Sequence, residues 1–115
     1  EVLAENLRQL GGPEARYDFV VSMLSNKAPD LLKPLFAIAD TFIVTKPQSS
    51  RIPPHDPETL AHELRRFGCT AFSCKDATTA LHFATEAKGN ANPVVVCGSL
   101  YLLGEIKALY RDLTH

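Results

Sequence analysis

The stretch Val94-Val95-Val96-Cys97-Gly98-Ser99-Leu100-Tyr101-Leu102-Leu103-Gly104-Glu105 contains the turn that decides the fold. Residues 93–97 are mostly β-branched and show no polar alternation, so they read as a strand buried on both faces, as strands of parallel sheets are. Gly98 lets the backbone turn tightly, and Ser99 opens a helix over 99–113 in which Leu100, Leu103, Ile106, Tyr110 and Leu113 recur near the helical period. A helix that starts directly after a buried strand leaves its unpaired N–H groups and the positive end of its dipole at the strand's carboxyl end, where an anion is favoured. Ser99 also suits a plainer role as N-cap, satisfying one of those N–H groups with its own hydroxyl, and on this feature alone that is the more economical reading.

Upstream, the same alternation repeats. Residues 2–10 carry Leu3, Leu7 and Leu10 at helical spacing and are closed by Gly11 and Gly12. Residues 17–24 read as a buried strand around Phe19, Val20, Val21 and Met23. Pro29 suits the first turn of a helix running to about residue 39, with Leu31, Leu32, Leu35 and Phe36 as its inner stripe and Pro34 predicting a kink or a late start. Residues 41–45 form a second strand, followed by a Pro-rich loop over 46–54. Asp56 and Pro57 make a cap and first-turn pair for a helix whose stripe is Leu60, Leu64 and Phe67 and whose stop is Gly68. A short strand over 70–74 leads to a helix capped by Asp76, with Ala80, Leu81, Ala84 and Ala87 inward and Gly89 as its stop. The expected fold is α/β: a three-layer, Rossmann-like, mostly parallel sheet with helices on both faces. Ligands of such sheets sit beyond the carboxyl ends of the strands, which directs attention to the loops 24–28, 45–51, 74–76 and 98–99.

Composition narrows the function classes. The chain has 115 residues, 45% hydrophobic and 22% charged, with no repeat or low-complexity tract, as expected of one folded domain over 1–115. Twelve Lys and Arg balance 13 Asp and Glu, a net charge of -1 that gives no general pull towards nucleic acid or an anionic membrane. No apolar run approaches the roughly 20 residues that cross a bilayer. Three cysteines, Cys69, Cys74 and Cys97, form an odd set without a Cys-x-x-Cys pair, which suits a reducing, cytoplasmic setting.

Few residues outside the strand-end loops suggest chemistry. Lys27, in Met23-Leu24-Ser25-Asn26-Lys27, follows the first strand at the same sheet end as Ser99, so a cation and a helix N-terminus together could hold a small acid; a solvated lysine is the plainer alternative. Arg51, beside Ser49 and Ser50, could grip a phosphate or carboxylate, though an exposed arginine in a polar loop is ordinarily just solvated. His55, His62, His82 and His115 have no metal-ligand spacing, so no metal site is expected, and Cys74 and Cys97 are expected to serve packing. Neither a Gly-x-x-x-x-Gly-Lys-Ser/Thr loop nor a Gly-x-Gly-x-x-Gly turn occurs, so this chain is expected to bind no nucleotide in the Gly-rich manner.

Taken together, Met23-Leu24-Ser25-Asn26-Lys27, Leu32-Lys33-Pro34-Leu35, the 45–51 loop, Asp76-Ala77-Thr78-Thr79-Ala80-Leu81 and Val96-Cys97-Gly98-Ser99-Leu100-Tyr101-Leu102-Leu103-Gly104-Glu105 resemble the C-terminal domain of folylpolyglutamate synthase/dihydrofolate synthase, of the Mur ligase superfamily. The Gly-Ser-Leu-Tyr segment is the most specific of these. The resemblance implies a ligase that uses ATP and Mg2+, bound largely through a P-loop domain, to convert a pteroate or folate carboxylate to an acyl phosphate that the amine of glutamate attacks. It further implies that Ser99 and Lys27 lie near the carboxylates of that glutamate; Arg51 and Gly98 are the further candidates for the cleft or a face towards a neighbouring domain, and no catalytic residue is assigned within this chain. Ser22 stands where the family commonly has Gly, and Ala28 where it has Asp. The family's Asp-Gly-Ala-His-Asn-Pro stretch and its strand are missing, so the chain is expected to be a fragment of a longer ligase, to partner its N-terminal and central domains, and to be inactive alone. Two other readings stand beside this one: the C-terminal domain of a cell-wall Mur ligase, and a non-catalytic α/β binding module.

Overall fold

The structure, a computed structural model, describes residues 2–12, 14–48, 53–87 and 92–97. Four strands, β1 (Tyr17–Val21), β2 (Ala39–Val44), β3 (Ala71–Ser73) and β4 (Val94–Cys97), form one sheet in the order β3-β2-β1-β4, with every pair parallel. The helices are α1 (Val2–Gly11), α2 (Pro57–Arg66) and α3 (Ala77–His82), with a 3-10 helix over Pro29–Leu35. The expected α/β architecture is what the chain adopts.

Every residue of β1 is buried, because the strand is covered on both faces and paired on both edges. On one face Tyr17, Phe19 and Val21 meet Phe42 and Val44 of β2, Leu60, Ala61 and Leu64 of α2, and Leu32 and Leu35 of the 3-10 helix. Phe19 stacks on Phe42 with ring centroids 5.6 Å apart. On the opposite face Val20 and Ile43 pack against Ala77, Ala80, Leu81 and Ala84. Small alanines let α3 approach the sheet closely, and its helical path continues through a π-turn over Phe83–Ala87.

Local chemistry fixes the helix starts. Asp56 accepts a hydrogen bond from the Thr59 N–H at 3.1 Å with Pro57 in the first turn, and Asp76 accepts one from the Thr79 N–H at 2.8 Å. Gly68, at φ 93°, ends the α2 segment in the left-handed region, where a side chain would be strained.

Several expected boundaries move. The first strand is Tyr17–Val21 rather than 17–24, because Leu24 leaves the ladder to bridge Pro54 in an antiparallel contact. The second strand begins earlier, at Ala39, and the third shortens to Ala71–Ser73. The α-helix expected from residue 29 is instead a 3-10 helix ending at Leu35. Pro34 offers no N–H and its ring crowds the carbonyl four residues back, so the tighter coil replaces the α-helix. Three residues per turn align Leu32 with Leu35 on the buried side and leave Leu31 61% exposed, so Leu31 is not part of the inner stripe. Phe67, expected on the α2 stripe, lies past the last helical turn and is 41% exposed, with the Lys33 ammonium 4.9 Å from its ring centroid. The helix expected over 99–113 and the stop at Gly89 lie outside the described residues.

Leu64→Ala is expected to destabilise the domain by about 2–5 kcal/mol, since it empties a fully buried site, whereas Leu31→Ala is expected to change stability by less than about 0.5 kcal/mol. Urea unfolding of the two variants checks the pair, and equal losses would return Leu31 to the core.

Candidate functional site

The connections β1 to β2 to β3 run to one side, and β4 then returns to the other side of β1. Between β1 and β4 the direction of winding reverses, and a parallel sheet opens a crevice beyond the carboxyl ends of the two strands that flank such a reversal. Val21 pairs with Cys97, so β1 and β4 end level. Ser22 and the loop to Lys27 follow β1 at this end, beside Cys97, the last residue of β4.

Lys27 therefore lies in the loop that follows β1. It is exposed, and among the described residues its ammonium makes no ion pair. Ser99, Gly98 and Arg51 lie outside the described residues, so their place relative to Lys27 stays with the sequence reading. Ser99 follows the last residue of β4 by two positions.

The Lys27 loop is shaped by the segment that precedes α2. Ser25 N–H donates to the Pro53 carbonyl at 2.8 Å, His55 N–H donates to the Met23 carbonyl at 2.7 Å, and Lys27 N–H closes a turn onto the Leu24 carbonyl at 3.0 Å. Sequence reasoning noted His55 only for its lack of metal-ligand spacing. The Pro53-Pro54 pair before the Asp56 cap stiffens the chain as it enters α2 but does not mark the His55 contact.

Two polar side chains finish the central strands on the α3 face. The Ser22 and Thr45 hydroxyl oxygens are buried and find no hydrogen-bond partner among the described residues. Alternation puts Ser22 on the side of Val20, and Thr45 on the side of Ile43, and Thr45 N–H extends the ladder to the Val21 carbonyl at 2.9 Å. A buried hydroxyl left unpaired costs on the order of 1–3 kcal/mol.

Farther along that edge, Lys46, Ser73, Cys74, Lys75, Asp56, Pro57 and Glu58 line an open groove of about 270 Å³ beyond β2 and β3. Its carboxylates are engaged: Asp56 caps α2, and Glu58 accepts from the Ser73 hydroxyl and from Arg65 at 2.8 Å. The Ser73 hydrogen bond, and after it Arg65, hold the Glu58 carboxyl below its ordinary range. Burial, with Asp76 adding to it, pushes the Cys74 thiol up, so this cysteine stays neutral and packs, as expected.

The amino end of the sheet is built differently. Asn92 donates to Asp40 at 2.9 Å and reaches the buried Asp18 at 3.4 Å, tying the entry of β4 to β1 and β2. That cluster lies at the opposite end from the crevice. Among the described residues no three His, Cys, Asp or Glu side chains gather as metal ligands. The sequence also has no Gly-rich phosphate loop. Also among them, no helix is long and apolar enough to cross a membrane.

Strand order defines an α/β domain of the doubly wound class, whose winding reverses between β1 and β4. Residues 1–111 match the family model for the dihydrofolate synthetase C-terminal domain, and the chain belongs to that family. Among solved structures it is similar to folylpolyglutamate synthase of Mycobacterium tuberculosis complexed with ADP and AMPPCP, with 27% identity and a TM-score of 0.72 over 93% of this chain and 27% of that one. It also shares its fold, at 24% identity and a TM-score of 0.74, with the bifunctional folylpolyglutamate synthase/dihydrofolate synthase of Yersinia pestis complexed with AMPPNP and Mn, over 96% of this chain and 25% of that one. The chain thus spans about a quarter of the length of these solved proteins. No curated protein matches it.

Two outcomes check this edge. Thr45→Val removes a hydroxyl that has no partner among the described residues, at nearly constant shape, so thermal unfolding is expected to show unchanged or slightly raised stability; a clear loss would reveal a further partner. The Thr79 backbone N–H, and after it the Thr79 hydroxyl, lower the Asp76 pKa, so its capping contribution is complete above the ordinary carboxylate range and fades as pH falls through the folded-state value. Urea unfolding is therefore expected to show wild type losing its advantage over Asp76→Ala on acidification from pH 7 to 3; a gap independent of pH contradicts that assignment.

Proposed function

We propose that this chain is the C-terminal domain of an ATP-dependent amide ligase that adds L-glutamate to dihydropteroate or a folate, and that it positions the incoming glutamate. The observation that carries the reading is the level ending of β1 and β4 at the point where the winding reverses, because Lys27 and Ser99 follow those two strands. Family membership supports the ligase class, and the Lys27 ammonium, which makes no ion pair among the described residues, supports an acidic ligand.

In this reading Lys27 meets one glutamate carboxylate as a point charge, and the backbone N–H groups with the Ser99 hydroxyl meet another as directional donors. Holding both carboxylates fixes where the amine points and converts a bimolecular encounter into a prearranged one. Arg51 and Gly98 face the cleft or the adjoining domain. Use of ATP and Mg2+ belongs to the N-terminal and central domains of the whole ligase, and no general base is assigned to this chain. Burial pushes the thiols of Cys69 and Cys74 up, and an odd set of three cysteines without a Cys-x-x-Cys pair suits a cytoplasmic enzyme.

A hydrogen bond to a charged group contributes about 1.5–3 kcal/mol, which is roughly 10- to 100-fold in affinity. In the intact protein, Lys27→Ala and Ser99→Ala are each expected to raise the glutamate KM by about that factor while the KM for ATP stays near wild type. Steady-state kinetics with glutamate and ATP varied separately reads this, and near-wild-type glutamate KM in both variants removes the site assignment.

A further inference from the structure

We propose that His55 is a positioning residue that fixes the backbone at Lys27, and with it the cation offered to glutamate. The proposal rests on the glutamate-holding reading above and deepens it. His55 Nε2 lies 2.7 Å from the Lys27 carbonyl oxygen. A carbonyl can only accept, so Nε2 carries the proton and donates it, whichever charge the ring bears.

The contact is the last of a graded set of ties between two segments distant in sequence. Leu24 bridges Pro54, Ser25 N–H reaches the Pro53 carbonyl, and His55 N–H reaches the Met23 carbonyl. These three hold the near half of the loop, next to β1. The far half, which ends at Lys27, is closed by its own turn onto Leu24 and is reached across the gap by the His55 ring alone among the described residues. The support behind the ring is stiff. Pro53 and Pro54 fix φ, and two residues after His55 begins α2, whose Leu60 and Leu64 are fully buried against the sheet. His55 therefore transfers the rigidity of the core to an exposed loop.

Removing the ring leaves the Lys27 carbonyl at the surface, where water replaces the donor, so the fold should survive. What is lost is the restriction on where the Lys27 backbone stands, and a ligand must then order it at binding. The cost should fall on glutamate and not on a substrate held by other domains.

The test uses the intact protein as wild type, His55→Ala, His55→Gln and Lys27→Ala. Gln carries an amide N–H at about the reach of Nε2. His55→Ala is expected to raise the glutamate KM roughly five- to tenfold with kcat and the ATP KM unchanged, and His55→Gln to recover most of the loss. Amide exchange is read on the same proteins, and residues 25–28 are expected to exchange faster in His55→Ala while β1 keeps its protection. Unchanged exchange at 25–28 overturns the proposal. It is also overturned if Lys27→Ala raises the glutamate KM and His55→Ala does not, or if His55→Ala raises both KM values and Gln rescues neither. Absence of glutamate-dependent turnover in wild type removes the ligase reading and the glutamate role of His55 together, while the exchange result still decides whether His55 fixes the loop.

Discussion

β1 has ladders on both edges and packed side chains on both faces, and every other element takes its position from that arrangement. A five-residue strand can be buried so completely only if its backbone N–H and C=O groups are all taken up by neighbours. β2 and β4 supply those partners, and the rule that parallel strands need crossovers sends helices over both faces. Tyr17, Phe19 and Val21 face α2 and the 3-10 helix, while Val20 faces α3. Because β4 takes the edge of β1 opposite β2, the winding reverses there and the crevice opens at the carboxyl ends of both strands. The candidate site is thus a consequence of how the most buried strand is satisfied.

That end of the sheet is unlike the rest. Along most of their length the strands present apolar side chains, and at the amino end Asn92 supplies a donor to the carboxylates of Asp40 and Asp18. At the carboxyl end, among the described residues, the buried hydroxyls of Ser22 and Thr45 find no partner and the Lys27 ammonium makes no ion pair, and the loop carrying it is braced from the segment before α2. A loop lysine braced from the segment before α2 thus stands at the edge where a ligand of such a sheet would sit.

Much of this was legible in the sequence. Runs such as Phe42-Ile43-Val44 and Val94-Val95-Val96 announce strands buried on both faces, and Asp56-Pro57 and Asp76 announce the helix starts that the structure contains. The errors have local causes. Leu31 fits an apolar stripe at helical spacing, yet Pro34 imposes a three-residue turn that moves Leu31 outward. Leu24 extends the hydrophobic run of β1 but is drawn away by pairing with Pro54. Lys27 falls in the loop after a strand, as the alternation of elements predicts. The His55 contact was not readable, because it joins residues 28 apart through a side chain whose partner is a backbone carbonyl, and carbonyls leave no mark in a sequence.

The most direct test of the account is a crystal structure of the intact protein with L-glutamate bound. The account predicts glutamate density beyond the carboxyl ends of β1 and β4, with a carboxylate oxygen within hydrogen-bond distance of the Lys27 ammonium. Glutamate held away from both strand ends, with Lys27 still solvated, would contradict it.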